Sequence, residues 1–115
     1  MFMKTGNYKE FGVEVGFEEL ELFLLEIIED EEQLCMDING VVSVSLFLND
    51  FDFDIISPNK SNKRFLILSD DTSEQICPIY LDMKDIKKII AGTGFYADQY
   101  ILILKHNIMY HLYIM

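Results

Sequence analysis

Apolar residues recur between residues 17 and 34 with the three- and four-residue spacing of an amphipathic helix. The apolar positions are Phe17, Leu20, Phe23, Leu24, Ile27 and Ile28. Glutamates fill most of the positions between them, so one side would be buried and the other hydrated. Glu19-Leu20-Glu21-Leu22 also alternates like a strand, and an acidic run from Glu29 to Glu32 would oppose the negative end of a helix dipole. The balance favours a helix over 17–34.

Shorter segments have the two-residue alternation or β-branched composition of strands. Residues 11–15 alternate, and Asn39-Gly40 predicts a type I′ hairpin turn between strands 34–38 and 41–48. The alternating segment 50–54 either extends the second of these strands or starts the next. Further strands are predicted at 65–68 and 76–81, and a loop at 58–63.

Asp82 resembles the N-cap of a short helix that would end near Gly92 in a left-handed conformation. Its buried stripe would consist of Ile86, Ile89 and Ile90.

Strands 100–104 and 108–114 then flank Lys105-His106-Asn107 and form a hairpin that is apolar on both faces, as is typical of central strands. The pattern as a whole predicts an α+β fold in one small domain over 1–115. It has a mainly antiparallel β-sheet, one acidic N-terminal helix and one short helix before a C-terminal β-hairpin.

Composition is typical of a folded protein. Half of the 115 residues are hydrophobic, which excludes a disordered acidic tail. No apolar run reaches the roughly 18 to 20 residues of a membrane span, and the start of the chain lacks the pattern of a signal peptide. We therefore expect a cytoplasmic protein of a bacterial host cell. One arginine against eight lysines, with abundant Ile and Asn, indicates a low-GC bacterial or phage genome.

Charge is distributed very unevenly. Residues 1–54 carry fourteen acidic residues and two lysines, whereas residues 55–115 carry six acidic and seven basic residues. The net charge of −11 therefore arises in the first half. Such a field attracts basic proteins and repels polyphosphates.

Asp50, Asp52 and Asp54 form the first candidate binding segment. Their spacing opens an EF-hand loop, but Ile55 stands where glycine is needed and Ser61 where a bidentate glutamate is needed, so that site is excluded. On a strand the three carboxylates would lie about 6 to 7 Å apart, close to the spacing of phosphates along a nucleic acid. The simpler interpretation is a strand with a hydrated outer face.

The second candidate segment is the densest acidic run of the chain: Glu26, Glu29, Asp30, Glu31 and Glu32. Such runs are usually hydrated surface. The near absence of cations in this half also suggests a docking surface for lysines and arginines of another protein, because self-repulsion costs stability.

No pattern of residues predicts catalysis, a metal or a cofactor. Cys35 and Cys77 are far apart and most simply two reduced, buried thiols. His106 and His111 have no nucleophile at suggestive spacing, and Ser45 lacks a nucleophile-elbow context. We therefore expect a binding protein and not an enzyme.

In size, acidity and composition the chain resembles phage anti-CRISPR or antidefence inhibitors, which bind the basic nucleic-acid-binding surface of a nuclease or CRISPR effector. An immunity protein that neutralises a toxin is the nearest alternative. An assembly module is another, with a homodimer formed through hairpin residues Tyr100, Ile101, Ile103, Tyr110, Tyr113 and Ile114. A weaker alternative is a small-molecule binder using the aromatic residues Tyr80, Phe95, Tyr96, Tyr100 and Tyr110.

Overall fold

The computed structural model of the protein describes residues 8–48, 51–56, 65–70 and 79–114. Within these ranges the chain forms helices α1 (Tyr8–Phe11) and α2 (Phe17–Glu29) and strands β1 (Gly12–Val15), β2 (Leu34–Asn39), β3 (Ser43–Leu48), β4 (Phe51–Ile56), β5 (Phe65–Asp70), β6 (Ile79–Asp82), β7 (Ile86–Gly92), β8 (Gln99–Leu104) and β9 (Met109–Ile114). Single 3₁₀ turns occupy Met83–Asp85, Gly94–Tyr96 and Lys105–Asn107.

Six of these strands form one antiparallel sheet in the order β1-β7-β8-β9-β2-β3, and β4, β5 and β6 form a second antiparallel sheet. The α+β prediction is confirmed. The C-terminal hairpin β8–β9 is confirmed as well, and it lies in the middle of the large sheet as its two apolar faces predict.

Helix α2 packs on one face of the large sheet, here called the inner face. Its stripe Leu20, Phe23, Leu24 and Ile27 is buried. The sheet contributes Leu34, Met36, Leu102, Leu104 and Leu112 to the same core, and the second sheet contributes Leu81 together with the partly buried Phe53 and Ile79. The helix prediction is confirmed, but α2 ends at Glu29, and Leu34 already belongs to β2.

The opposite, outer face of the large sheet has a smaller apolar cluster. Phe11 lies over it and is 2 % exposed, together with Ile90, Ile101, Ile103 and Met109. The Phe11 and Tyr96 rings stack with centroids 4.8 Å apart. The large sheet is therefore apolar on both faces along its central strands.

The prediction of a short helix from Asp82 to Gly92 is wrong beyond the first turn of that helix. Asp82 does act as an N-cap, and its Oδ1 accepts the Lys84 backbone N–H at 3.0 Å. Strand β7 begins at Ile86, only four residues after Asp82, and its register with β8 shifts between Ile86 and Lys88. This irregularity brings Ile86 and Ile89 to the same inner face although they are three residues apart. A bulged strand therefore has the apolar spacing of a helix.

The Asn39-Gly40 hairpin is confirmed, but its type I′ turn is not. Asn39 pairs with Ser43, so the connection spans residues 40–42. Neither Asn39 nor Gly40 has a positive φ. Instead, the Ser43 hydroxyl donates to Asn39 Oδ1 at 3.0 Å across the base of the loop.

The described part of the acidic segment, residues 51–54, belongs to β4 of the second sheet and does not extend β3. Strand β4 pairs with β5 from Phe51↔Asp70 to Ile56↔Phe65, and β5 pairs with β6. The predicted strand 65–68 lies within β5, and β6 covers residues 79–81 of the predicted strand 76–81. Residues 76–78 and the predicted loop 58–63 lie outside the described residues. None of the helices in the described part of the chain has the length and apolar character needed to cross a membrane.

Two glycines where β1 meets β7 allow a close approach of backbones. A Cβ at Gly12 would lie 1.8 Å from the Ala91 carbonyl oxygen, and a Cβ at Gly92 would lie 1.9 Å from that of Tyr96. At Gly40, by contrast, the nearest atom would be an Ile108 side-chain carbon at 3.5 Å.

We expect Gly12→Ala and Gly92→Ala each to lower the free energy of unfolding by about 1 to 3 kcal/mol, because backbone must move to admit the methyl group. Urea denaturation measures this change. Gly40→Ala is the control, and equal losses in all three variants would contradict the proposed crowding.

Candidate functional site

Two adjacent cavities open between α2 and the chain entering β8. Their volumes are about 220 and 290 Å³, and both are lined by Phe23, Glu26 and Asp98. We call them together the acidic groove. Its complete lining is Glu19, Leu22, Phe23, Glu26, Ile27, Asp30, Glu32, Gly92, Ala97, Asp98, Tyr100 and Ile114. Five of these residues are acidic and none is basic, so the groove is electrically one-sided.

An aromatic pair lies between α2 and β8 in the groove. The rings of Phe23 and Tyr100 are 4.5 Å apart between centroids, at an angle of 33°. The Tyr100 hydroxyl donates a hydrogen bond to the Glu19 backbone carbonyl at 3.4 Å. The pair thus connects the helix to the sheet and gives the groove an apolar part beside its carboxylates.

The negative charge of the groove affects the pKa of Tyr100. Burial raises the pKa of its hydroxyl, and the negative charges of Glu19, Glu26 and Asp98 raise it further. Tyr100 therefore remains a neutral hydrogen-bond donor at physiological pH. Three of the five groove carboxylates lie close enough to one tyrosine to act on it together.

Asp98 is placed by the turn that precedes β8. It has a left-handed backbone, with φ 64°, immediately after the 3₁₀ turn Gly94–Tyr96. Aspartate adopts this conformation more readily than most residues do. The close approach of the Tyr96 carbonyl to Gly92 packs the same turn against the end of β7. A rigid turn therefore holds this carboxylate across from α2.

The structure divides the predicted acidic run. All five side chains are exposed, but only Glu26, Asp30 and Glu32 line the groove, and Glu29 and Glu31 lie outside its lining. The Asp30 backbone N–H donates to the Glu26 carbonyl at 2.9 Å, and Glu31 then takes a left-handed φ of 53° as the chain leaves the helix. This change of direction brings Glu32 back toward the groove.

The predicted ladder of Asp50, Asp52 and Asp54 is only partly described. Asp52 is exposed on β4, but its Oδ1 accepts the Phe53 backbone N–H at 2.8 Å. Asp50 lies outside the described residues, and the side chain of Asp54 is not described. Asp52 is absent from the lining of the groove, so the one ladder side chain that the structure describes does not share this site with Glu26, Asp30 and Glu32.

Sequence reasoning missed part of the groove. Glu19 and Glu26 are seven residues apart, two helical turns, and this spacing could have placed them on one side of α2. Asp98 has no such signal, because only the pairing of β7 with β8 brings its turn to the helix.

Polar residues also form a row across the outer face of the large sheet. Asp37 on β2 lies opposite both Ser45 and His111. The Ser45 hydroxyl donates to Asp37 Oδ1 at 2.8 Å, and His111 Nε2 lies 2.8 Å from Gln99 Oε1. Serine and histidine therefore each have a different partner, and the arrangement is not that of a nucleophile activated by a base.

Cys35 lies in the same sheet as a buried free thiol. Burial, and secondarily the charge of Asp37, raises its pKa. A raised pKa keeps the thiol protonated and unreactive. Cys77 lies outside the described residues.

No group of three or more potential metal ligands occurs within 8–48, 51–56, 65–70 and 79–114. Comparison with protein-family models, curated proteins and solved structures finds no match.

Neutralising the groove should stabilise the fold at low salt, since its like charges repel and α2 has no basic residue in its last turn. We expect the triple substitution Glu26→Gln, Asp30→Asn and Asp98→Asn to raise the free energy of unfolding by about 0.3 to 1 kcal/mol. Urea denaturation at low and high salt tests this. Glu14→Gln is the control and should not stabilise, because Glu14 pairs with Lys88 at 3.9 Å. A triple variant no more stable than wild type at low salt would contradict the repulsion.

His111 should make the fold sensitive to mild acid. Burial lowers its pKa below 6.5, and the opposing effect of Asp37 is smaller. His111 therefore takes up a proton near pH 6.5 in the unfolded chain but only at lower pH in the folded protein. Protonation then favours the unfolded chain, so the free energy of unfolding falls as the pH drops below about 6.5.

We expect His111→Gln, which keeps a polar side chain next to Gln99, to lose less stability than wild type between pH 7 and pH 5. The free energy of unfolding over this range is the measurement. His106→Gln is the matched control at an exposed turn. If the stability of His111→Gln fell with pH as steeply as that of wild type, His111 would not be the source of the acid sensitivity.

Proposed function

We propose that this protein is a small acidic inhibitor that acts by binding and not by catalysis. Its partner is the basic nucleic-acid-binding surface of another protein, such as a nuclease or a CRISPR effector. In this proposal the chain acts as a phage antidefence protein of the anti-CRISPR type. The observation that carries the proposal is the acidic groove, whose lining, among the residues that the structure describes, holds five carboxylates and no basic side chain. The site of action is the cytoplasm of a bacterial host cell.

The groove suits the side chain of an arginine or lysine. The carboxylates of Glu26 and Asp98 lie on either side of an opening that also exposes Tyr100. A guanidinium group can pair with carboxylates and lie against an aromatic ring at the same time. Lys88 pairs with Glu14, and Lys105 pairs with Asp85. Neither of these two ion pairs involves a groove carboxylate.

A nucleic-acid-binding protein is the partner class best matched by this chemistry. Such proteins concentrate arginine and lysine to neutralise phosphates. Carboxylates that form ion pairs with those basic residues would exclude the nucleic acid by competition. An immunity protein bound to a nuclease toxin would use the same contacts.

We expect the groove variant Glu26→Gln, Asp30→Asn and Asp98→Asn to lose binding to a basic partner. The assay captures proteins from the source cells at low salt on immobilised wild type and elutes them with duplex DNA. Captured nucleic-acid-binding proteins should be released by DNA and by rising salt, because binding depends on exposed charge.

The control removes the same number of charges outside the groove, through Glu10→Gln, Glu29→Gln and Glu31→Gln. This variant should retain most of the captured protein. Equal capture by the groove variant, or capture that is insensitive to salt and DNA, would refute the proposed function.

A further inference from the structure

The two edges of the large sheet differ in how they are protected. Strand β1 is only four residues long and directly follows α1. Its Glu14 side chain pairs with Lys88 of the neighbouring strand, beside the irregularity in β7. Short strands, charges and bulges are the usual means of preventing another strand from pairing at an edge.

Strand β3 at the opposite edge has none of these features. Its six residues, Ser-Val-Ser-Leu-Phe-Leu, include no charge and no proline. Its register with β2 is uninterrupted, and among the described strands it pairs with β2 alone. Val44 is 44 % exposed and Phe47 is 52 % exposed, on opposite faces of the sheet. The strand therefore presents both backbone groups and apolar side chains at an edge that no other described strand covers.

We infer that β3 pairs edge to edge with β3 of a second copy of this chain. The two strands run antiparallel about a two-fold axis perpendicular to the sheet, and the two six-stranded sheets become one. Each copy supplies the other with the same edge, which closes the assembly at a dimer.

The chemistry of the edge favours a second copy over a basic partner. Free N–H and C=O groups at a sheet edge are matched by an extended strand. A lysine-rich segment would find no carboxylate on β3 to pair with. In a two-fold pairing, by contrast, the inner-side residues Val44 and Leu46 lie opposite inner-side residues of the other copy, and Ser45 and Phe47 lie opposite outer-side residues.

This interface differs from a dimer formed through the C-terminal hairpin. Strands β8 and β9 already have a neighbour on each side, and Ile101 and Ile103 are buried within the chain's own outer-face cluster. The hairpin edges are therefore occupied, whereas β3 has only β2 as a neighbour among the described strands.

The test compares the same substitution on the two edges. Val44→Lys on β3 and Val13→Lys on β1 each add one positive charge at an exposed valine, since Val13 is 57 % exposed. A single pair of strands is small beside the roughly 1,200 Å² of a stable interface, so the dimer should form at about 0.1 to 1 mM protein. Sedimentation equilibrium should then detect dimers of wild type and Val13→Lys, and monomers of Val44→Lys.

Hydrogen exchange on the wild type provides a readout independent of any variant. The outward amides of β3 should gain protection as concentration rises, while those of β1 should not change. Dimerisation should also strengthen with salt, since both copies carry a charge of −11. Binding to a basic partner weakens with salt, so the two proposals fail separately. A monomer at every concentration and salt, or a dimer that Val44→Lys leaves intact, would overturn the inference.

Discussion

Packing of the apolar stripe of α2 against the inner face of the large sheet governs where the other features lie. Leu20 and Leu24 are fully buried there, against central-strand residues such as Leu102 and Leu112. Burial of a side chain of this size contributes about 2 kcal/mol. Four such residues on α2 give on the order of 8 kcal/mol before the entropy cost of folding is subtracted. The stripe therefore determines which glutamates of α2 face outward.

That packing also allows the fold to tolerate its concentrated charge. Like charges one helical turn apart, such as Glu26 and Asp30, cost only about 0.2 to 0.5 kcal/mol. Gly16 provides no side-chain cap at the start of α2, and Asp30 lies at its unfavourable negative end. These penalties are small beside the apolar contribution, so the core tolerates an acidic side of the helix that no basic residue of α2 neutralises.

The parts of the fold that follow from periodicity could be predicted, and the parts that depend on tertiary context could not. The stripe of α2 and the doubly apolar hairpin β8–β9 are properties of local sequence, and both were predicted. The irregularity between Ile86 and Lys88 gives strand β7 the apolar spacing of a helix in the sequence, because it changes which residues share a face of the sheet. Asp98 joins the groove only through strand pairing, as no local pattern relates it to residues eighty positions earlier.

The position of the groove bears on how it would bind a partner. Glu19 and Glu26 project from a helix held by its buried stripe, and the Tyr100 hydroxyl joins that helix to a central strand. Asp98 lies in a left-handed turn beside the closely packed Gly92. Groups held on regular elements lose little freedom when a ligand arrives, so less of the electrostatic attraction is spent on ordering them. A loose acidic tail of equal charge would lose more conformational freedom on binding, so a folded scaffold would suit the charge-driven binding proposed above.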